Sequence, residues 1–365
     1  MARIGASKRI VFASIPLLVL LGIAELVLRA TDLAERCPNR FSDSQIWVCD
    51  PILHFKLNTE LQGNEGPLNS EGFRGEEWRA KAPGVYRILA LGDSCTFGLI
   101  ARESFGFVKQ PYPIKLQRLV ERRIGNGVLE ALNAGVPGYN SFHGVMLLRT
   151  RLRDLDPDLT TVRYGWNDQF LSAPGEGEAL FREPESAPGL FLQDLALRTR
   201  LYPFARRPAM ELRALRRPVA DQALRAFVGQ QTWEPTIPIE RYEHNLRRIV
   251  EIGRSRGAEV WLLTSPANPA PGEEAAELMS VTNRLGFDEL MRIHDLYNEA
   301  VRRVGREMNT LVVDMAEVYA RHPGTPVFLP TDIPHPTAAG HVLEAETLYS
   351  ALVKRGVIRP TGGGG

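Results

Sequence analysis

Cysteine is scarce in this sequence. The 365 residues include three cysteines, Cys37, Cys49 and Cys95, with no Cys-x-x-Cys pair and no Cys/His cluster at metal-ligand spacing. Structural metal sites need such clusters, so the sequence predicts neither a metal nor a cofactor. Cys37 and Cys49 lie close together among turn-forming residues, and a disulfide between them is expected if this part of the chain is exported. Two free thiols are the alternative.

An excess of charge is also missing. The chain has 44 Lys and Arg against 43 Asp and Glu, a formal net charge of +1. Nucleic-acid-binding domains carry a broad basic footprint, so no nucleic-acid partner is predicted. Arginines do cluster between residues 206 and 217. A solvated helix face is the simpler interpretation of this cluster, and contact with an anionic surface or polymer is the alternative.

The N-terminal apolar run is shorter than the roughly 20 residues that span a bilayer comfortably. It covers 15 residues, Ile10–Ala24, before Glu25 interrupts it, and 19 residues if it continues to Leu28. Basic residues precede it, and basic residues before an apolar run indicate export with the N-terminus in the cytoplasm. We therefore expect a cytoplasmic tip at 1–9 and a transmembrane signal anchor at 10–29.

A cleaved signal peptide is the alternative for the same segment. It would make the protein secreted, whereas the anchor would make it a single-pass protein of the cell membrane. Either interpretation places the rest of the chain on the exported side, periplasmic or extracellular.

The remaining sequence divides by its periodicity. Residues 30–83 are rich in turn formers and predict an irregular stalk or ancillary layer. Residues 84–357 predict the main domain, and the segment 170–238, which has many Pro, Arg and Leu but no clear strand, predicts a helical insertion. The glycine-rich residues 358–365 predict a flexible tail.

Strand-like and helix-like segments alternate through the main domain. Such alternation predicts an α/β fold, a three-layer sandwich with helices on both faces of a central parallel sheet. Five strands are predicted, at 86–91, 128–132, 159–164, 258–264 and 310–313.

Ligands of an open parallel sheet sit outside the carboxyl ends of the strands, and the first predicted strand ends in Gly92-Asp93-Ser94. A serine hydroxyl is a weak nucleophile and needs a base. Near the C-terminus, Asp332 precedes His335 by three residues. An aspartate so placed can accept the Nδ1 hydrogen of the histidine and leave Nε2 to take a proton from serine. Ser94, His335 and Asp332 are therefore the predicted nucleophile, base and orienting carboxylate.

Attack on an ester carbonyl builds negative charge on its oxygen, and aimed hydrogen-bond donors stabilise that charge. Gly138 follows the second predicted strand and Asn167 the third. The predicted oxyanion donors are the backbone N–H groups of Ser94 and Gly138 and the side-chain amide of Asn167.

These residues resemble the sequence blocks of the SGNH, or GDSL-type, hydrolase superfamily. Gly92-Asp93-Ser94 with Gly98 resembles its first block, Asn133 to Gly138 its second, Gly165-Trp166-Asn167-Asp168 its third and Asp332-Ile333-Pro334-His335 its last. The resemblance covers residues 86–354, with 170–238 unmatched. It implies a flavodoxin-like fold with a central five-stranded parallel sheet, and the five roles given above. A looser match at 69–74 resembles membrane-anchored bacterial members.

Two rival interpretations concern serines. Ser94 could simply cap a helix after its strand, because serine is a favoured N-cap. Gly253-Arg254-Ser255-Arg256-Gly257 fits a Gly-x-Ser-x-Gly nucleophile elbow, but that elbow needs a strand before it and a helix after it. Here the predicted order is the reverse, so Ser255 is not expected to act.

The function expected from these features is that of an exported serine esterase. Its substrate would be an acylated carbohydrate or lipid, an O-acyl or O-acetyl ester of an envelope polysaccharide or lipid. One alternative is an O-acyltransferase that uses the same triad to modify a cell-surface polysaccharide. The other is a non-catalytic assembly protein that kept the fold.

Overall fold

The computed structural model describes residues 6–34, 47–60, 68–100, 106–172, 181–184, 186–216, 234–283 and 285–359. The chain divides into two compact units: Met1–Asn58 with Glu183–Gly229, and Thr59–Arg182 with Gln230–Gly365. These boundaries differ from those predicted at 84, 170 and 238. Residues 360–365 of the predicted tail, and Cys37, lie outside the described residues.

The larger unit is built on a five-stranded sheet. Its strands are β3 (Tyr86–Gly92), β6 (Leu129–Gly135), β7 (Leu159–Arg163), β10 (Glu259–Leu263) and β11 (Leu311–Val313). Their spatial order is β11-β10-β7-β3-β6, and every pairing is parallel. Counted along the chain the order is 2-1-3-4-5, the doubly wound, flavodoxin-like arrangement. The predicted fold class and all five predicted strands are therefore confirmed.

Strand β3 forms because its residues are largely apolar on both sides. Six of the seven residues of β3 are buried, as expected for a parallel strand covered by helices on both faces.

The helices of this unit are α2 (Ser94–Phe97), α3 (Tyr112–Arg123), α4 (Ser141–Arg149), α5 (Trp166–Gln169), α8 (Ile239–Ser255), α9 (Glu273–Asn283), α10 (Phe287–Glu307), α11 (Met315–Ala320) and α12 (Ala338–Lys354). One face carries α3 and α12, which bury Leu116, Val120, Leu348 and Leu352 against Ile88 and Trp261. On the other, α8 packs against α4 and α10.

Two short antiparallel pairs accompany the main sheet. Strands β4 (Leu99–Ile100) and β5 (Gly106–Phe107) follow α2. Strands β8 (Leu171–Ser172) and β9 (Glu234–Pro235) pair at the two ends of the predicted insertion. This second pair was not predicted, because two residues are too few to show a period.

Strand β6 is the edge of the five-stranded sheet, and side groups cover its outer side. The side-chain oxygen of Gln117 accepts the Ala131 N–H over 3.0 Å. Arg74 forms an antiparallel bridge with Asn133. The guanidinium of Arg74, itself buried, donates to the carbonyl oxygens of Phe97 and Val108. The segment around Arg74 thus ties the strand edge to the turn that follows Ser94.

The smaller unit contains α1 (Ala6–Ala30), the antiparallel hairpin β1 (Trp47–Asp50) and β2 (His54–Leu57), and the helices α6 (Ala187–Leu197) and α7 (Leu201–Arg216). The hairpin lies within the stretch predicted to be irregular. Helices α6 and α7 agree with the expected helical character of the insertion. Among the described residues, no helix is both long and apolar enough to cross a membrane, so the anchor predicted at 10–29 gains no support.

The two cysteines that the structure describes differ in oxidation state. Cys49 is disulfide-bonded, and Cys95 is free and buried. Because Cys37 is outside the described residues, its pairing with Cys49 stays a prediction.

Candidate active site

Ser94 stands at a tight turn between β3 and α2. Asp93 caps α2, its carboxylate accepting the Cys95 N–H over 2.9 Å, and Gly98 ends the helix with a φ of +90°. Gly92 allows the turn to close, because a Cβ there would lie 2.1 Å from the Thr96 hydroxyl oxygen. Since Asp93 and not Ser94 is the cap, the Ser94 hydroxyl is available for another partner.

That partner is His335. The Ser94 Oγ lies 2.9 Å from His335 Nε2. On the other side of the ring, His335 Nδ1 lies 3.0 and 3.1 Å from the two carboxylate oxygens of Asp332. The Asp332 side chain is 2% exposed and that of His335 is 16% exposed. The structure therefore joins the three residues that the sequence singled out, in the order hydroxyl, imidazole, carboxylate.

The loop that carries Asp332 and His335 is held from two directions. The Asn268 side-chain amide donates to the Asp332 carbonyl oxygen over 3.0 Å, and the Asn268 N–H donates to the Ile333 carbonyl oxygen over 2.9 Å. The Cys95 thiol donates to the Pro334 carbonyl oxygen over 3.2 Å. Burial raises the pKa of this thiol well above its ordinary value. Cys95 is therefore a structural neighbour of the loop and not a second nucleophile.

Three strand ends meet beside Ser94. In the sheet, Gly92 is paired with Gly135 of β6 and with Arg163 of β7. Gly138 and Asn167 follow these two strands, so their loops flank the turn of Ser94. The Asn167 amide nitrogen donates to the Tyr139 carbonyl oxygen over 2.9 Å, which ties the two flanking loops together.

The backbone of both flanking loops has a conformation that favours glycine. Gly138 is exposed and has a φ of +87°, and Gly165, before α5, has a φ of +145°. Only glycine adopts such angles at little cost. An Asn167 amide nitrogen carries two hydrogens, so one remains for a substrate oxygen after the bond to Tyr139.

Asp168 fixes the position of α4 from beneath the Asn167 loop. Its buried carboxylate accepts the Ser141 hydroxyl over 2.5 Å and the Ser141 N–H over 3.0 Å. The Asn245 amide supports the same hydroxyl over 2.8 Å. Burial raises the pKa of Asp168 to about 7, although the hydrogen bonds from Ser141 oppose the shift.

Trp166 is fixed by a buried histidine that the sequence did not single out. The His294 ring stacks on Trp166 with 4.1 Å between centroids. His294 Nε2 lies 2.7 Å from the Ser265 carbonyl oxygen, and burial lowers the pKa of His294 to about 4. The imidazole is therefore neutral near pH 7, donates through Nε2 and orients the Trp166 ring.

A buried ion pair lies at the end of β7. Arg163 and Glu344 form it with side chains that are 1% and 0% exposed. His341 Nδ1 lies 3.1 Å from the same carboxylate, and the Tyr319 hydroxyl donates to it over 3.0 Å. Burial would raise the pKa of Glu344, but Arg163 and His341 hold it below its ordinary value. His341 lies within α12, which begins at Ala338.

Ser255 is placed as its flanking elements suggested. It is the last residue of α8, its hydroxyl donates to the Ile252 carbonyl oxygen over 2.8 Å, and strand β10 follows. Within the described part of the chain, no group of three His, Cys, Asp or Glu side chains is arranged to hold a metal ion.

Residues 90–343 match the sequence profile of the GDSL-like lipase/acylhydrolase family. The chain belongs to this family. The predicted resemblance to SGNH/GDSL hydrolases is confirmed, and as a family member the chain is a carboxylic ester hydrolase. No curated protein is significantly similar to it in sequence.

The solved structures to which the chain is similar include the following three. A lipase/acylhydrolase from Enterococcus faecalis is 18% identical, with 76% of this chain and 99% of that chain covered and a TM-score of 0.46. A catalytic mutant of an acetylxylan esterase from Geobacillus stearothermophilus is 18% identical, with 74% and 95% covered and a TM-score of 0.44. An enzyme from the metagenome of Lake Arreo, Spain, described as an alpha/beta hydrolase, is 18% identical, with 75% and 96% covered and a TM-score of 0.43.

Sequence reasoning missed the residues that support the site of this hydrolase. Asn268 follows the end of β10, where polar residues of a parallel sheet face the ligand side, and that position was the available signal. His294 lies inside a long amphipathic helix and Glu344 inside the last helix. Nothing in their local sequence distinguishes them from ordinary core or surface positions.

Proposed function

We propose that this hydrolase cleaves esters through Ser94 as nucleophile, His335 as general base and acid, and Asp332 as the carboxylate that orients the imidazole. One observation carries the assignment: His335 lies within hydrogen-bond distance of Ser94 through Nε2 and of Asp332 through Nδ1. This is the arrangement that a serine nucleophile requires near neutral pH.

The reaction proceeds in two halves. The Ser94 oxygen bonds to the ester carbonyl carbon while His335 Nε2 takes its proton. The carbon–oxygen bond to the alcohol then breaks, and His335 returns the proton to the departing alcohol. Water next attacks the acyl-enzyme and gives a proton to His335, the bond to Ser94 breaks, and the serine hydroxyl is restored with release of the acid. Each half passes through an oxyanion.

We assign that oxyanion to the backbone N–H groups of Ser94 and Gly138 and the side-chain amide of Asn167. Support comes from the strand register, which brings the three loops to one edge of the sheet, and from the positive φ of Gly138. The Tyr139 carbonyl holds the Asn167 amide before substrate arrives. A donor held in advance costs no reorganisation during the reaction.

The substrate we propose is an O-acyl or O-acetyl ester of a polysaccharide or lipid of the cell envelope, reached by an exported enzyme. The disulfide at Cys49 supports export, because disulfides persist mainly in oxidising compartments. The basic residues before the apolar N-terminal segment support it as well, because export signals begin with such residues.

The decisive experiment is hydrolysis of p-nitrophenyl acetate by the full chain, by Ser94→Ala and by Ser255→Ala. Loss of a serine nucleophile lowers kcat by about a millionfold in a comparable triad. Ser94→Ala should therefore be inactive, and Ser255→Ala, the matched control from the rejected elbow, should equal wild type. A fluorophosphonate probe should label wild type on the peptide that contains Ser94. Full activity in Ser94→Ala would contradict the proposal.

The same assay separates hydrolysis from acyl transfer. With a sugar alcohol added as acceptor, a hydrolase releases free acetate at an unchanged rate, whereas a transferase forms the acetylated sugar. We expect acetate to be the product. Predominant sugar ester would assign the chain to acyl transfer with the same three residues.

A further inference from the structure

The smaller unit carries 13 of the 17 large apolar side chains that are exposed among the described residues. On α6, Phe191, Leu192 and Leu195 are 68%, 62% and 54% exposed. Their spacing of one and four residues places them on one face of the helix. Exposed apolar patches of this kind mark contact with a protein partner or a membrane.

Helix α1 exposes a second apolar surface in the same unit. Leu17, Leu18, Val19, Leu20 and Leu21 are consecutive, and their exposures run from 41% to 63%. Successive residues of a helix point about 100° apart, so five in a row cover its whole circumference. A groove on a protein covers one side of a helix, whereas lipid surrounds it on every side. A helix that is apolar all round belongs in a core or in lipid.

A carboxylate joins α1 to the helices of the insertion. Glu25 Oε2 accepts the N–H groups of Arg200 and Leu201 over 2.9 and 3.0 Å, at the start of α7. Arg29, one turn further along α1, donates to Glu25 over 2.8 Å and to the Arg198 carbonyl oxygen over 3.3 Å. The end of α6 is thus attached to the last turns of α1.

The charges at this junction select the partner. Arg29, Arg198 and Arg200 are exposed, and the acids beside them are Glu25, which is ion-paired with Arg29, and Asp194 on α6. An apolar surface bordered by arginines complements a bilayer with anionic headgroups, which attract basic residues near the membrane surface.

We propose that the α6 face formed by Phe191, Leu192 and Leu195 enters the headgroup region of an anionic lipid bilayer that also covers the apolar surface of α1. The inference is independent of the chemistry at Ser94. It assigns to the insertion a membrane-contacting role that is separate from catalysis.

The test places a fluorophore on this face in the full chain. Leu192→Cys, labelled with an environment-sensitive dye, is mixed with phosphatidylcholine vesicles with and without phosphatidylglycerol. The matched control is Leu278→Cys, at an apolar position of α9 that is 66% exposed in the other unit. Wild type treated with the same dye corrects for reaction at native cysteines, and circular dichroism verifies folding of each variant.

We expect the emission at 192 to shift to shorter wavelength with anionic vesicles and the emission at 278 to stay unchanged. Adding Phe191→Ser and Leu195→Ser should weaken vesicle partitioning of the α6 face at least about tenfold. Arg198→Gln with Arg200→Gln should weaken the dependence on phosphatidylglycerol about tenfold. The control replaces two exposed arginines of the larger unit, as Arg292→Gln with Arg321→Gln. It should leave the dependence on phosphatidylglycerol unchanged.

Three outcomes would overturn the proposal. One is that the emission of the dye at position 192 does not shift. Another is that the emission shifts equally at positions 192 and 278. The third is a shift without vesicles that grows with protein concentration, which would assign the face to self-association. The readout is dye emission and not ester hydrolysis. These results can therefore be interpreted even if Ser94 is not the nucleophile.

Discussion

The Asn268 side-chain amide donates to the main-chain carbonyl oxygen of Asp332 over 3.0 Å. Asn268 touches none of the reacting groups. It acts as a positioning residue, because the loop that it holds carries both the base and its orienting carboxylate.

Replacing Asn268 with Ala should therefore lower kcat by about 10- to 100-fold, since small misplacements of catalytic groups have effects of that size. KM should change little. Asn283→Ala, which removes another buried amide bonded to a main-chain carbonyl, is the matched control for lost packing and should keep its kcat. Steady-state kinetics on a short p-nitrophenyl ester measures kcat and KM of each variant. Thermal unfolding measures the stability of each variant in parallel. Equal kcat values for the two variants would show that Asn268 has no positioning role.

Asn167→Ala tests the side-chain oxyanion donor. Removing one such donor costs about 10²- to 10³-fold in kcat, and KM should stay near its wild-type value because the interaction strengthens in the transition state. The Asn283→Ala variant again serves as control. A rise in KM with kcat unchanged would mean that Asn167 binds substrate in its ground state and does not stabilise the oxyanion.

Asp168 should make stability depend on pH. Its pKa is about 7 in the folded protein against an ordinary value of 3.8. Between these values the folded state keeps a proton that the unfolded state has lost. The stabilisation of the folded state is complete below the pKa that Asp168 has in the unfolded chain. It is lost as pH rises through the pKa that Asp168 has in the folded protein. The free energy of unfolding falls by at most about 1.4 kcal/mol for each pH unit between the two pKa values.

The measurement is urea unfolding of wild type and Asp168→Asn between about pH 4 and pH 8, the window in which this group loses its proton. The wild-type free energy of unfolding should fall relative to the variant as pH rises toward 7. A constant difference across this range would show that Asp168 is already ionised at low pH in the folded state.

Glu344→Gln should destabilise the fold strongly. It leaves the Arg163 guanidinium buried without its hydrogen-bonded counter-ion, and breaking such a buried pair costs about 3–5 kcal/mol. Replacing both partners with Met should cost less, because no buried charge remains. Glu317→Gln, in an exposed pair with Arg321, should change the free energy of unfolding by about 1 kcal/mol or less. Chemical denaturation of wild type and the three variants measures the free energy of unfolding. If the double Met variant lost as much stability as Glu344→Gln, the charge argument would be contradicted.

Much of the fold and the central geometry could be predicted because short-range patterns encode them. The buried strand before Ser94 is a continuous apolar run, and Asp332 and His335 are close enough in sequence to meet within one turn. Local signals also ruled out Ser255, since the order of helix and strand around it is visible in the sequence. The family resemblance connected these separate pieces.

The remaining features depend on contacts between distant segments. The pairing of Arg163 with Glu344 joins residues 181 positions apart, and that of Asn268 with Asp332 joins residues 64 apart. No periodicity reveals such partners. Helix α9 was missed because its residues Glu273–Asn283 are mixed in character, and the strands β8 and β9 because they are so short. For the N-terminal segment, a basic flank and an apolar run favour a span, whereas no described helix is long and apolar enough to cross a membrane.

The covered edge of β6 has a consequence for how this hydrolase behaves at high concentration. An open strand edge is a template for pairing with a neighbouring molecule, and proteins that leave such edges bare tend to polymerise. On β6, an incoming strand would first have to displace the Gln117 oxygen from the Ala131 N–H and the Arg74 backbone from Asn133. Displacing Arg74 would also pull its guanidinium away from the turn after Ser94, so a molecule that added a strand here would be expected to lose its catalytic geometry at the same time.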